Sequence, residues 1–97
     1  MIKLPSSLAT PCLVVDAAAL DDNIALMARQ VKETNASLRP HAKTHKSPEI
    51  ARRQVAAGAL GVACATIAEA EGMVAAGIAN VLVTSPLATA DKVARFR

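Results

Sequence analysis

A short basic segment contains the residues of this chain that are best suited to chemistry. Its sequence, RPHAKTHK, runs from residue 39 to residue 46. Read as a β-strand, it places Arg39, His41 and Lys43 on one face, because successive side chains of a strand point to opposite faces. Buried cations are costly unless they are paired or neutralised, so this face should border water or an anionic group.

Lys43 is the stronger of two candidate nucleophiles in the segment. A lysine that lies beside other cations and is partly withdrawn from water loses its proton more readily, and the neutral amine can attack a carbonyl carbon to form a Schiff base. Lys46 follows the predicted strand, and we interpret it as a solvated surface residue. His41 is either a core histidine or a site residue, and the sequence alone does not decide. His45 is a weaker candidate for the site.

The elements that must position this segment alternate between strands and helices. Asp16, Ser47 and Thr66 are each predicted to cap the start of a helix, and Gly58 and Gly77 to end the second and third helices. Strands separated by helices indicate right-handed βαβ units with a parallel sheet. The predicted strands cover residues 12–15, 37–43, 61–65 and 80–84.

The carboxyl ends of the strands in a parallel barrel share one face, where the chemistry gathers. Here that face would carry Lys43, His45, Thr66 and the pair Thr84-Ser85. Thr66 is more simply a helix cap, and Thr84 and Ser85 are equally suited to a turn. No carboxylate or cysteine lies at ligand spacing from the histidines, so we predict no metal site within this chain.

Composition argues against several classes of protein. The net charge is only +3, and Phe96 is the single aromatic residue. Without aromatic side chains for base stacking, we expect no nucleic-acid binding. No apolar stretch approaches the length of a membrane span or of a secretion signal, so we expect neither. Cys12 and Cys64 lie in apolar runs, which predicts that both are buried thiols of a cytoplasmic protein.

The segment RPHAKTHK resembles the cofactor-lysine segment of the D-threonine aldolase and D-serine dehydratase family. These are fold-type III pyridoxal-phosphate enzymes related to alanine racemase. Three further stretches, at residues 10–16, 61–70 and 75–83, are similar to the same family. The resemblance implies an α/β fold in which residues 1–97 form the N-terminal portion of a pyridoxal-phosphate-binding (β/α)8 barrel of the TIM type.

The resemblance also implies a function and a site. Lys43 would carry the Schiff base with pyridoxal 5'-phosphate, and Arg39, His41, His45 and Thr66 are candidates for the cofactor site. The implied enzyme is a lyase that cleaves a small D-β-hydroxy amino acid, acts as a homodimer and uses a divalent metal, zinc or manganese, with ligands near the C-terminus of the family's members. Aldolase is preferred, and D-serine dehydratase is the alternative. A non-catalytic pyridoxal-phosphate-binding protein or an inactive truncated product is the alternative of another class.

Length bears on all of these expectations. A complete barrel of this type needs about 250 residues, so 97 residues suggest the front third of an enzyme. The last predicted helix, at residues 90–97, has no stop residue, which is typical of truncation. An incomplete sheet presents unpaired N–H and C=O groups at its edge, and we expect this chain on its own to self-associate there.

Overall fold

The computed structural model describes residues 3–97, and this part of the chain alternates helices with short parallel strands. None of its helices is both long and apolar enough to cross a membrane. The elements, in chain order, are α1 (Ala17–Lys32), α2 (Pro48–Ala56), β1 (Val62–Cys64), α3 (Ile67–Ala75), β2 (Val81–Val83) and α4 (Ala90–Phe96).

Strand β1 lies in the middle of the sheet. It pairs in parallel with β2, so that Val62 is opposite Val81 and Cys64 is opposite Val83. On its other side, residues 38–42 run parallel to it through a bridge between His41 and Ala63. Backbone hydrogen bonds from Ala63 N to Pro40 O (2.8 Å) and from Ala42 N to Ala63 O (2.7 Å) extend this pairing. The predicted α/β fold with parallel strands is therefore confirmed.

The hydrophobic core lies between this sheet and the helices. Val62 and Cys64 of β1 are fully buried, and Ile67 and Met73 of α3 are nearly so. These β1 side chains alternate with Ala63, as expected when every second residue of a strand points toward the helix layer. Removing this apolar surface from water is the main force that holds helices to the sheet. Further members of the core cluster are Ala42, Ala51, Ala70 and Ile78, with Val81 and Val83 packed against it.

Side-chain caps and glycine turns set the helix boundaries where the sequence predicts them. The carboxylate of Asp16 accepts a hydrogen bond from Ala19 N, and the Ser47 hydroxyl accepts one from Ile50 N. These bonds satisfy backbone N–H groups that have no partner within the first turn of a helix. Gly58 and Gly77 follow α2 and α3 with φ of +115° and +90°, values that side chains rarely tolerate.

Two predictions for the first twenty residues are wrong. Residues 12–15 form no strand, and Leu13 is fully exposed to solvent. A strand exists only where a neighbour accepts and donates its backbone hydrogen bonds, and no described segment does so here. Cys12 lies on the same stretch and is exposed, whereas Cys64 is buried as predicted.

The predicted strand at residues 37–43 is shorter than expected. Pairing with β1 ends at Ala42, and residues 42–45 form a turn closed by a hydrogen bond from Lys46 N to Ala42 O (2.8 Å). Lys46 leaves this turn with φ of +53°, which is uncommon for a residue with a side chain. Lys43 therefore lies on the turn just beyond the sheet, where the alternation of a strand no longer determines its direction.

Candidate active site

The face of the sheet opposite the helices, here called the open face, has small residues at its centre. Ala63 of β1 and Gly61, the residue before β1, alternate with the core residues Val62 and Cys64. A Cβ atom placed on Gly61 would lie 1.8 Å from Asn80 O. No side chain fits at this distance, so glycine is required at residue 61. Because these positions contribute so little bulk, longer side chains from residues 38–42 can reach across β1 to Asn80 and Thr84, the residues before and after β2.

Arg39 makes the first of these crossings, at the start of the strands. Its Nη1 donates to Asn80 O (3.1 Å) and to Asn80 Oδ1 (2.6 Å). One guanidinium nitrogen thus joins two segments that are 41 residues apart in the sequence. Asn80 was not among the residues that we selected from the sequence, because its role depends on the register between the strands.

His41 makes the second crossing, at the carboxyl ends of the strands. Its Nδ1 accepts the backbone N–H of Lys43 at 3.2 Å. A backbone N–H can only donate, so Nδ1 carries no proton and the neutral ring holds its proton on Nε2. Nε2 therefore donates to Thr84 Oγ1 (3.2 Å), and the Thr84 hydroxyl donates to Cys64 O (3.2 Å).

Lys43 differs from Lys46 in its contacts. Lys43 is exposed, and within residues 3–97 its amine has neither a hydrogen-bond partner nor an ion pair. The amine of Lys46 lies 3.8 Å from Glu69 Oε1, and its side chain is 68% exposed. Lys46 is thus a surface residue, as predicted, and the structure adds a carboxylate partner, while Lys43 has the free amine of the pair.

His45 lies on the helix side of the sheet, away from the open face. Its Nδ1 accepts from Ser47 N (2.9 Å), so its neutral ring donates through Nε2 to Gln54 Oε1 (3.3 Å). It borders an apolar cavity of about 520 Å³ between α1 and α2, together with residues such as Leu38 and Ile50. In this position His45 stabilises the start of α2.

Thr66 is the N-cap of α3, since its hydroxyl accepts from Glu69 N at 3.2 Å. The Glu69 carboxylate accepts from Ala65 N (2.9 Å), the backbone group that precedes the cap. The pKa of the nearby Cys64 thiol is raised, mainly by burial and secondly by the negative charge of Glu69. Cys64 is therefore poorly suited to act as a thiolate nucleophile.

Of the residues selected from the sequence, the structure brings Lys43 and His41 into direct contact. Arg39 binds at the opposite end of the strands, Thr66 caps a helix, and His45 faces the helices. A cofactor contact for these three residues stays a prediction. Thr84, which the sequence left open as a turn residue, is the additional member of the site. The sequence had placed Thr84 at the carboxyl end of a predicted strand, and its hydrogen bond to His41 is what now favours a site role over a turn.

Comparisons with known proteins show that the chain is similar in both sequence and structure to a small group of enzymes. The chain is 42% identical over 85 residues to the D-threonine aldolase of Arthrobacter sp., covering 88% of this chain and 22% of that protein. It superposes on the crystal structure of D-threonine aldolase from Filomicrobium marinum with a TM-score of 0.87 and 47% identity, covering 90% of this chain and 24% of that one. For D-threo-3-hydroxyaspartate dehydratase from Delftia sp. HT23 the TM-score is 0.80 and the identity 40%, with coverage of 84% and 22%.

The chain thus spans less than a quarter of the length of these relatives, where its length alone suggested a third. Residues 15–96 match the family model described as alanine racemase, N-terminal domain. The match includes all of the described helices and strands as well as the pair formed by Lys43 and His41. This chain therefore belongs to the alanine racemase N-terminal domain family.

Proposed function

We propose that the protein containing this chain is a pyridoxal-phosphate-dependent lyase of the D-threonine aldolase type, with Lys43 as its cofactor lysine. The observation that carries the proposal is the free, exposed amine of Lys43 at the carboxyl ends of the parallel strands. The neighbouring Lys46 has a carboxylate partner and is less available. Similarity to two D-threonine aldolases, at 42% and 47% identity, supports the choice of reaction.

Among the described residues, the amine of Lys43 is the group suited to bind pyridoxal phosphate. Pyridoxal phosphate, when bound, supplies an electron sink for negative charge that develops on the substrate. An aldehyde requires a primary amine that is accessible and not held by a carboxylate, and Lys43 meets both conditions. His41 accepts the backbone N–H of Lys43 and so holds the base of the lysine side chain in place. With both ring nitrogens in hydrogen bonds, His41 acts here by orienting Lys43.

We further propose that the βα units described here are part of a (β/α)8 barrel. The supporting features are the parallel strands, the helices on one face and the small residues Gly61 and Ala63 on the other. The inner wall of a barrel has limited room for side chains, which favours such residues. In that architecture Lys43 and Thr84 would lie at the end of the barrel where active sites form.

A divalent metal is the second group that the family resemblance implies. Among residues 3–97, no three His, Cys, Asp or Glu side chains are placed to hold a metal ion. The described residues therefore do not fit a metal site of their own, and we assign the metal no ligand and no step in this chain.

Dehydration of a D-β-hydroxy amino acid is the second candidate reaction. It is favoured by the structural similarity to D-threo-3-hydroxyaspartate dehydratase, at a TM-score of 0.80 and 40% identity. The two reactions give different products. Aldol cleavage of D-threonine yields glycine and acetaldehyde, whereas dehydration of D-serine yields pyruvate and ammonia. Product analysis of both substrates with the purified protein therefore separates the two candidates.

Covalent trapping tests the assignment of Lys43. The protein is incubated with pyridoxal phosphate, reduced with borohydride and mapped by peptide mass spectrometry. We expect the label on Lys43 in the wild type and in Lys46→Ala, and its loss in Lys43→Ala. The Lys46 variant is the matched control, because that lysine lies three residues away and is also exposed. Equal labelling of the two lysines in the wild type would contradict the proposal.

A further inference from the structure

We infer that Thr84 is a positioning residue for Lys43 and acts through His41. The inference rests on the proposed role of Lys43 and extends it to a residue 41 positions further along the chain. Thr84 follows β2, and His41 pairs with the opposite side of β1. The two side chains meet across β1, whose Ala63 is too small to separate them.

The hydrogen bonds in this group have a fixed direction. The backbone N–H of Lys43 donates to His41 Nδ1, which requires the ring proton on Nε2. Thr84 Oγ1 must therefore accept from Nε2, and its own proton goes to Cys64 O. Thr84 N also donates to Cys64 O (2.9 Å), so the backbone N–H and the hydroxyl of Thr84 both bind the same carbonyl oxygen. Only a residue that both accepts and donates can fill this place.

Lys43 needs such support because of where it lies. It is on the turn at residues 42–45, beyond the last backbone hydrogen bond that joins this segment to β1. The bond to His41 fixes its backbone directly, and the bond to Thr84 fixes the His41 ring. Without the Thr84 hydroxyl, the ring can rotate or exchange its tautomer, and the base of the Lys43 side chain loses its anchor.

Two substitutions of Thr84 test the inference in the full-length protein. Thr84→Val keeps the shape but removes the hydroxyl, and Thr84→Ser keeps the hydroxyl as the matched control. The first readout is the tautomer of His41 in a long-range ¹H–¹⁵N spectrum, recorded without cofactor. The second is the rate at which pyridoxal phosphate and borohydride label Lys43 relative to Lys46.

For the wild type and Thr84→Ser we expect a His41 ring protonated only on Nε2. For Thr84→Val we expect a mixture of tautomers, and labelling of Lys43 slowed roughly three- to tenfold, the size of one lost hydrogen bond. Labelling of Lys46 should not change. An unchanged tautomer or an unchanged Lys43 rate in Thr84→Val would overturn the inference.

A further variant keeps the test decisive if Thr84→Val does not fold. His41→Phe retains a ring but removes both nitrogens, so it should slow labelling of Lys43 at least as much. An unaffected rate in this variant would also overturn the inference. Failure of the proposed function has a different signature, because the wild type would then show no preference for Lys43 while the tautomer of His41 still responded to Thr84→Val.

Discussion

Gly61→Ala gives the sharpest test of the way in which the sheet is assembled. The added Cβ would lie 1.8 Å from Asn80 O and 2.7 Å from both the carbonyl carbon and the Cβ of Asn80. All three atoms belong to the segment that enters β2, and two of them are backbone, so β1 and β2 must move apart to relieve the contact. The same carbonyl oxygen accepts from Val62 N (3.0 Å) and from the Arg39 guanidinium, and both bonds would weaken.

The expected loss of stability follows from these contacts. Overpacking in a tight site costs about 1–3 kcal/mol, and a weakened backbone hydrogen bond costs about 1 kcal/mol more. Gly61→Ala should therefore lower the free energy of unfolding by about 2–4 kcal/mol, from the sum of these terms. Gly72→Ala is the matched control, since Gly72 lies in α3 and an added Cβ there meets no atom within 4 Å. Alanine in a helix should stabilise by roughly 0.5–1 kcal/mol.

Urea denaturation followed by circular dichroism measures both variants against the wild type. The two substitutions add the same methyl group, so their opposite signs test the geometry and not the chemistry of the change. If Gly61→Ala unfolded at the same or a higher urea concentration than the wild type, the close approach of Gly61 to Asn80 would be refuted.

Further predictions concern the thiols and an ion pair. In the native protein iodoacetamide should modify exposed Cys12 and spare Cys64, whose burial raises its thiol pKa; peptide mapping before and after urea tests this, and equal native modification would contradict it. Arg95 donates to both carboxylate oxygens of Glu71 (2.8 and 2.7 Å), and these hydrogen bonds lower the pKa of Glu71. Because the pKa of Glu71 is lower in the folded state, the ion pair stabilises the fold at pH values above the ordinary carboxyl pKa of 4.5. This stabilisation is lost as the pH falls through the folded-state pKa. The wild type should therefore be slightly more stable than Glu71→Gln at pH 7, with the difference in denaturation midpoint vanishing in acid; a constant difference would refute the assignment.

Features that depend on near neighbours in the chain could be predicted from the sequence. Asp16, Ser47 and Thr66 each cap a helix by accepting from a backbone N–H three residues later, so their roles require no distant partner. Gly58 and Gly77 end helices for an equally local reason, because few other residues adopt their backbone angles. Strands β1 and β2 were predicted to within one residue of their observed ends.

Predictions that needed a distant partner were less successful. The strand expected at residues 12–15 is not formed, and the strand expected to reach Lys43 ends before it. In both cases the apolar or alternating pattern was present, but a pattern does not supply the hydrogen-bonding neighbour that makes a strand. The exposure of Cys12 follows from the first of these errors.

The candidate site shows the same division between sequence and tertiary structure. The sequence alone was enough to select Lys43 as the candidate reactive group, because a basic segment of distinctive composition is visible without a fold. Tertiary structure decided which lysine has a free amine, which histidine meets it and that Thr84 completes the group. His41 and Thr84 are 43 residues apart, and only the parallel register of the strands with β1 brings an imidazole and a hydroxyl within hydrogen-bonding distance.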